Sequence, residues 1–214
     1  MSMLTALITS ILIGYLFGCS NMAYYIGKIK RVDLKKSGSK NYGASNTFAL
    51  IGAKAGILVF VHDFLKSILA MLVAQSIFPN INWVSVVTGG FVVIGHIFPF
   101  YAKFNGGKGY ASFIGMAIML HPLAGLILFL SSAIFAVITD YVVASTFFMI
   151  VAMPIVSFVS GNIIEGIVLL LTSILIAVKH KDNIINLCTK NGKEMTIRSA
   201  LNNKYKKEPN HEKE

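Results

Sequence analysis

The sequence predicts an all-α, polytopic integral membrane protein. Of its 214 residues, 55% are hydrophobic and only 13% are charged, and the mean hydropathy is +0.71. That balance lies far from the balance of a soluble globular domain. The apolar residues also occur in runs long enough to cross a bilayer, and basic residues flank those runs. Two cysteines, Cys19 and Cys188, are too few to indicate a disulfide framework or a metal cluster.

Basic residues are concentrated in two parts of the chain. Six of the 19 lysines and arginines lie between positions 28 and 40, and nine lie from position 179 onward, so most of the net charge of +10 flanks apolar segments. This is the positive-inside pattern, which predicts that both regions are cytoplasmic and does not indicate nucleic-acid binding. The first apolar run has no charged start and no small-residue cleavage site, which indicates a retained helix. Residues 1–195 are predicted to form one membrane domain, and residues 196–214 a polar, disordered tail.

The apolar segments predict about seven transmembrane or partly spanning helices. They cover about residues 3–26, 50–78, 83–101, 109–139, 141–160 and 163–178. If the turn at Lys108 and the basic C-terminal region are both cytoplasmic, an even number of crossings must separate them. The run 109–139 must then cross twice, with a break at His121 and Pro122, and the N-terminus lies outside. Twelve helical residues rise only about 18 Å against about 30 Å of hydrocarbon, so residues 109–120 are predicted to form a partial span.

The second apolar segment is unusual because it carries ionisable side chains. Lys54, His62, Asp63 and Lys66 all lie within it. Charged groups in a membrane segment are costly and usually face the protein interior or water. Asp63 and Lys66 are three residues apart, on one face of a helix, and are predicted to form a structural ion pair.

Three polar, glycine-containing stretches fall on the predicted cytoplasmic side. They are residues 38–46, the aromatic and basic turn 101–109, and the stretch that begins at Lys179. Glycine backbone, hydroxyl, amide, imidazole and ammonium donors with few carboxylates suit a phosphate compound. Taken singly, these features have simpler interpretations: the first stretch is a turn with a helix cap, and Lys108 is a topology anchor. His96, inside the apolar segment before the turn, is a hydrogen-bonded core histidine. The occurrence of the three stretches on one side favours an anion site.

The same stretches resemble a known family. The segments GSKNYGASNTFALIGAKAG, HDFLKS, GHIFPFYAKFNGGKGYAS and HKDNI with a later GKE are similar to those of the bacterial acyl phosphate:glycerol-3-phosphate acyltransferases. The resemblance covers about residues 10–194. It implies a seven-helix enzyme of the bacterial plasma membrane, with its active site facing the cytoplasm. It also implies acyl transfer from acyl phosphate to the 1-hydroxyl of glycerol 3-phosphate, without a cofactor or a metal.

The resemblance also implies roles for individual residues. The implied catalytic residues are Ser39, Lys108, His180 and Asn183. The implied substrate-binding residues are Lys40, Asn41, Asn46, His96, Gly106, Gly107 and Glu194. Acyl phosphate already carries a good leaving group, so the reaction depends on orientation and charge stabilisation more than on a strong base.

The chain departs from the family pattern at several positions. Ala49 and Asn186 stand where the family has arginines, and Lys40 stands where it has a glycine. Residues 140–143 read Asp-Tyr-Val-Val where the family tends to have Arg-Tyr-Val-Ser. Lysine replaces a bidentate guanidinium poorly, although Lys40 and Lys181 supply some positive charge. These departures favour one alternative, a catalytically degenerate paralogue that binds lipid phosphates or a partner. The charged second segment favours another, a small anion transporter.

Overall fold

The structure, a computed structural model, describes residues 2–189 and 196–198. Apolar runs form the long helices, of which α4 also carries charged residues. Glycine, proline or asparagine lies at most of the breaks between them. The helices of the described part are α1 Met3–Cys19, α2 Met22–Lys30, α3 Ala44–Leu50, α4 Ala53–Ile77, α5 Trp83–Ile97, α6 Tyr110–Leu120, α7 Pro122–Thr139, α8 Val142–Val159, α9 Ile163–Lys179 and α10 Lys181–Cys188. A single 3₁₀ turn, Phe100–Ala102, follows α5.

The predicted membrane architecture is confirmed. Five helices of the described part are long and apolar enough to span a bilayer when Met3–Lys30 is counted as one, and α9 with α10, bent by 56°, adds a sixth candidate. The short apolar helix α6, which is fourth in chain order, is the partial span that brings the total to seven. Large apolar side chains such as Leu12, Ile134 and Val137 are exposed on the outer faces of these helices. Such faces suit contact with lipid chains.

The predicted break between the fourth and fifth spans is also confirmed. α6 ends at Leu120, and α7 begins at Pro122, whose fixed φ suits the first position of a helix. With eleven residues, α6 rises only about 16 Å. Its residues Phe113, Ile114 and Met116 are fully buried in the main apolar core. The start of α6 therefore lies inside the protein and not at its outer surface.

The two ends of the bundle differ in chemistry. At one end, the side chain of His121 contacts Ser157 Oγ at 2.8 Å and Glu165 Oε2 at 3.1 Å. At the other end lie all three polar stretches that the sequence indicates, joined by contacts such as the one from Lys108 to Asn183. We call this second end the basic end. Four helices, α6 to α9, lie between Lys108 and His180, so the chain returns to the basic end.

Glycines bring α1 and α5 close together next to the site. A Cβ on Gly95 would overlap the carbonyl oxygen of Tyr15, and a Cβ on Gly18 would overlap that of Val92. The hydroxyl of Tyr101 donates to the carbonyl oxygen of Cys19 across the same contact. The corner between α1 and α2 therefore packs directly against the end of α5 that carries His96.

The start of the C-terminal tail touches the turn between α7 and α8. Thr196 forms an isolated antiparallel bridge with Tyr141. The backbone N–H of Ile197 donates to the Asp140 carbonyl at 2.9 Å, and the N–H of Arg198 donates to Asp140 Oδ1 at 3.0 Å. The remainder of the predicted disordered tail lies outside the described residues.

Candidate active site

The first polar stretch is held in shape by Asn46. This side chain is 1% exposed, and its Oδ1 accepts from the backbone N–H of Ser39 at 2.8 Å. Its Nδ2 donates to the carbonyl oxygens of Leu34 at 2.9 Å, Asn41 at 3.0 Å and Ser37 at 3.3 Å. A buried amide that is fully used by backbone groups fixes a loop that lacks regular structure. The loop in turn places Ser39 and Asn41 at the site.

Two backbone N–H groups of the glycine turn donate hydrogen bonds to other backbone groups of the protein. The N–H of Gly106 donates to the Ile97 carbonyl at 2.9 Å, and the N–H of Gly107 donates to the His96 carbonyl at 3.0 Å. The turn therefore caps the last carbonyls of α5. What it presents to the site is the Lys108 side chain and, directly after it, the start of α6. The first amides of a helix have no partner within the helix and favour a negative charge.

Lys35 fastens the first polar stretch to the glycine turn. Its Nζ donates to the Gly106 carbonyl and to Asn105 Oδ1, both at 2.8 Å, and lies 5.1 Å from the centre of the Tyr42 ring. Burial lowers the pKa of Lys35 to about 8, and the nearby positive charges of Lys179 and Lys108 add to the effect. Lys35 is thus a cation whose charge changes close to physiological pH.

The third polar stretch brings an imidazole and an amide to the same place. His180, 6% exposed, lies between α9 and α10, and its Nδ1 is 2.9 Å from the Ile176 carbonyl. Because a carbonyl oxygen only accepts, Nδ1 carries the proton and Nε2 of the neutral ring is an acceptor. Asn183, in the first turn of α10, accepts from Lys108 Nζ through its Oδ1.

Two cavities meet at these residues. The inner cavity has a volume of about 370 Å³ and the outer cavity about 500 Å³. Ser39, Asn41, Lys108 and Asn183 line both, so they stand at the junction. The inner cavity is otherwise lined mainly by apolar and small side chains from α4, α6, α7 and α8, including Phe60, Phe129, Ala133, Ala136, Val142 and Val143, with Asp63, His96 and His180 on its polar side.

The outer cavity is strongly basic. Its lining contains five lysines and one carboxylate, namely Lys35, Lys40, Lys108, Lys179, Lys181 and Asp182. A concave surface with this excess of positive charge concentrates dianions and raises their rate of association. An anion drawn into it meets Lys108 at the junction with the inner, apolar cavity. The site can therefore hold a phosphate next to a long apolar chain.

Most of the predicted site residues come together in these two cavities. The outer cavity receives Lys40, Gly106 and Gly107, and the inner cavity receives His96 and His180, in addition to the four residues at the junction. Asn46 lines neither cavity, and its side chain is used inside the loop. Glu194 lies outside the described residues.

Sequence reasoning missed several residues that the structure places at the site. Lys35 lies in a run of basic residues that looks like a topology signal. Ser145 and Tyr110 both line the inner cavity, and the Tyr110 hydroxyl donates to the Ser145 carbonyl at 3.1 Å. Ser145 lies in an apolar segment, so no local signal marks it. Tyr110 directly follows the glycine turn, but the sequence gives no reason to assign it a role. The predicted Asp63–Lys66 ion pair is confirmed at 2.8 Å, but the sequence does not indicate its contact with His96.

The two positions where the family's arginines are missing lie in different surroundings. Ala49 is fully buried and lines neither cavity. Asn186 lines the outer cavity together with Lys40 and Lys181. Lys40 and Lys181, which supply some positive charge, thus line the same cavity as Asn186, one of the two positions where the family has an arginine.

Fold and site together define a polytopic membrane protein that combines a basic anion cavity with an apolar cavity. The profile of the family described as glycerol-3-phosphate acyltransferase matches residues 8–190. A glycerol-3-phosphate acyltransferase of Thermosipho melanesiensis is 31% identical over 200 residues, which cover 94% of this chain and 98% of that protein. One from Aquifex aeolicus is 33% identical over 180 residues, covering 84% and 94%. The chain belongs to the glycerol-3-phosphate acyltransferase family.

Solved structures support the same assignment. The chain is similar to PlsY, an integral membrane glycerol 3-phosphate acyltransferase, in its glycerol 3-phosphate form, with a TM-score of 0.83 and 33% identity. The match covers 92% of this chain and 98% of that chain. The lysophosphatidic acid form of PlsY gives a TM-score of 0.80 at 32% identity.

Proposed function

We propose that the protein transfers a fatty acyl group from acyl phosphate to the 1-hydroxyl of glycerol 3-phosphate, giving lysophosphatidic acid and phosphate for phospholipid synthesis. The observation that carries this proposal is the junction of the two cavities. A basic cavity suited to glycerol 3-phosphate opens into one whose apolar walls suit an acyl chain, and the same four side chains line both. The two reacting groups would meet at that junction.

The reaction balances without a further reactant. The glycerol hydroxyl oxygen attacks the carbonyl carbon of the mixed anhydride, the bond from that carbon to the phosphate oxygen breaks, and the hydroxyl proton leaves with the phosphate. Lys108 stabilises negative charge on the carbonyl oxygen and the departing phosphate. His180 Nε2 accepts a hydrogen bond from the attacking hydroxyl and orients it. Ser39 and Asn183 hold the glycerol 3-phosphate beside Lys108, and Asn41 supports it from the same loop.

The test is a phosphate-release assay on purified protein with palmitoyl phosphate and glycerol 3-phosphate. Release that requires glycerol 3-phosphate, with lysophosphatidic acid identified by mass spectrometry, supports the transferase. A folded protein that binds glycerol 3-phosphate without turnover would instead fit the degenerate paralogue. Uptake of glycerol 3-phosphate into proteoliposomes without acyl transfer would fit the transporter.

The affinity for glycerol 3-phosphate should fall as the pH rises through 8. Lys35 has a pKa of about 8, so its charged fraction drops from about nine-tenths at pH 7 to about one-tenth at pH 9. The second ionisation of a phosphate ester lies near pH 6, so the dianion already predominates at pH 7 and increases only slightly above it. We therefore expect the KM for glycerol 3-phosphate to rise several-fold, up to about tenfold, between pH 7 and 9.

Lys35→Arg provides the matched control for this pH dependence. An arginine stays charged throughout the range, so the variant should show a KM that is nearly independent of pH between 7 and 9. Lys36, the exposed neighbour, serves as the comparison: Lys36→Arg should retain the wild-type pH profile. An unchanged profile in Lys35→Arg would exclude Lys35 as the titrating group.

The basic end of the bundle is proposed to face the cytoplasm of a bacterial cell, with the N-terminus outside. The positive-inside rule supports this because the lysines of the outer cavity, with Lys28 and Lys103, all lie at that end. The test uses single cysteines at Lys103 and Asn162, two exposed positions at opposite ends, in a background with Cys19→Ala and Cys188→Ala. A membrane-impermeant maleimide added to intact spheroplasts should label the cysteine at Asn162 and not the one at Lys103. The reverse pattern would invert the topology.

A further inference from the structure

A buried polar cluster connects α4 and α5 to the corner between α1 and α2. It consists of Asp63, Lys66 and His96, whose exposed fractions are 1%, 4% and 3%. Lys66 Nζ lies 2.8 Å from Asp63 Oδ1, 2.8 Å from His96 Nδ1, 2.7 Å from the Ser20 carbonyl and 3.1 Å from the Gly18 carbonyl. Four polar atoms therefore surround the ammonium, which has three N–H donors, inside the membrane domain.

These distances fix where His96 carries its proton. An ammonium group has only donors, so a ring nitrogen 2.8 Å from it must accept. A proton on Nδ1 would point at the positive charge. Asp63 Oδ1 lies farther from Nδ1, at 3.5 Å, and already accepts from Lys66. The neutral imidazole is consequently protonated on Nε2.

The protonated nitrogen lies at the glycine turn. A Cβ on Gly107 would overlap His96 Nε2, so this nitrogen is packed against the backbone directly before Lys108. His96 and Asp63 both line the inner cavity. Within residues 2–189 and 196–198, no protein group accepts from Nε2. His96 and Lys108 thus line the same cavity, and the protonated nitrogen lies beside the residue that precedes Lys108.

We propose that the buried Asp63–Lys66 pair is a positioning device that holds His96 in its Nε2-protonated form, so that it donates to an oxygen of the acyl phosphate or glycerol 3-phosphate. The inference rests on the proposed function for the identity of these substrates. Lys66 lines neither cavity, and it acts together with Asp63 through His96. A buried ion pair contributes little stability compared with an apolar pair of the same volume, so stability alone does not account for this cluster.

The first test measures the tautomer without turnover. The chain has five histidines, so ¹⁵N-histidine NMR of the full chain in detergent micelles is feasible, with His96→Gln identifying the His96 signals. We expect a protonated Nε2 and a hydrogen-bonded, unprotonated Nδ1 in the wild type. The charge-free double variant Asp63→Asn/Lys66→Met should lose this preference. A protonated Nδ1 in the wild type, or an unchanged tautomer in the double variant, would overturn the proposal.

The second test measures whether the pair acts through His96. We expect the double variant to lower kcat about tenfold, which is the effect expected from the loss of one hydrogen bond to the transition state. The KM for glycerol 3-phosphate should change less than about twofold. In a His96→Gln background the same two substitutions should have almost no further effect, because the glutamine amide supplies its own donor. Equal losses in both backgrounds would indicate a merely structural role and overturn the proposal.

The controls separate the possible failures. Lys54→Met places the same substitution at an exposed position of α4 and should leave kcat unchanged. If Lys66→Met alone misfolds because Asp63 is left unpaired, the double variant, which buries no charge, replaces it. A wild-type protein without turnover would refute the proposed function and the donor role, whereas the NMR spectra would still decide the tautomer.

Discussion

Lys108→Met is expected to reduce kcat by at least about a hundredfold, the typical cost of removing one donor that stabilises a developing oxyanion. Methionine keeps the length and apolar stem of lysine and removes only the ammonium. That ammonium lies at the junction of both cavities, where the proposed reaction would transfer negative charge from the carbonyl oxygen to the departing phosphate. The phosphate-release assay with palmitoyl phosphate and glycerol 3-phosphate, run at saturating concentrations of both, measures the effect.

Lys103→Met is the matched control for this prediction. Lys103 belongs to the same turn, but its side chain is exposed and lines neither cavity. It should retain wild-type kcat, and both variants should show the same thermal unfolding as the wild type. A Lys108→Met variant with a kcat within tenfold of wild type would remove this residue from the catalytic set and shift charge stabilisation to the start of α6.

The membrane architecture could be predicted from the sequence because each step depends on a local property. Hydropathy gives the spans, which the structure confirms, whereas the sidedness that the charges indicate stays a prediction. The requirement for an even number of crossings gives the break at His121, which the structure confirms. The same argument placed three distant polar stretches at one end of the bundle. Connectivity gives only this common end, whereas their meeting at Lys108 depends on how the helices pack.

The internal contacts of the site could not be predicted in this way. Lys66 and His96 are 30 positions apart, and their contact depends on how α4 and α5 are rotated about their axes. Glycines usually suggest amides that are open to an anion, yet the N–H groups of Gly106 and Gly107 donate to carbonyls of α5. Asn46 likewise has the side chain of a ligand-binding residue, and its amide is used to shape the loop. Sequence identifies the donor types but not their partners.

Gly107→Ala is expected to have the second large effect, although it adds only one methyl group. That methyl would overlap His96 Nε2 and would lie 2.6 Å from the Tyr42 carbonyl oxygen. Overpacking of this kind costs typically about 1–3 kcal/mol of folding free energy, because neither the buried ring nor the backbone can move freely. A shift of the turn by about 1 Å would misplace Lys108, and such a displacement costs about a hundredfold in rate. We therefore expect a folded but less stable protein with kcat reduced about a hundredfold.

Gly161→Ala separates lost stability from lost geometry. Gly161 has a φ of +80°, where an alanine is strained by roughly 1–2 kcal/mol, but a Cβ there would meet no atom within 4 Å. It lies at the end of the bundle opposite the site, so Gly161→Ala should lower the unfolding temperature while kcat stays within twofold of wild type. If Gly107→Ala behaved in the same way, the close contact between Gly107 and His96 would not position Lys108. A selective loss of kcat in Gly107→Ala would show that the turn must keep its place to within about an ångström.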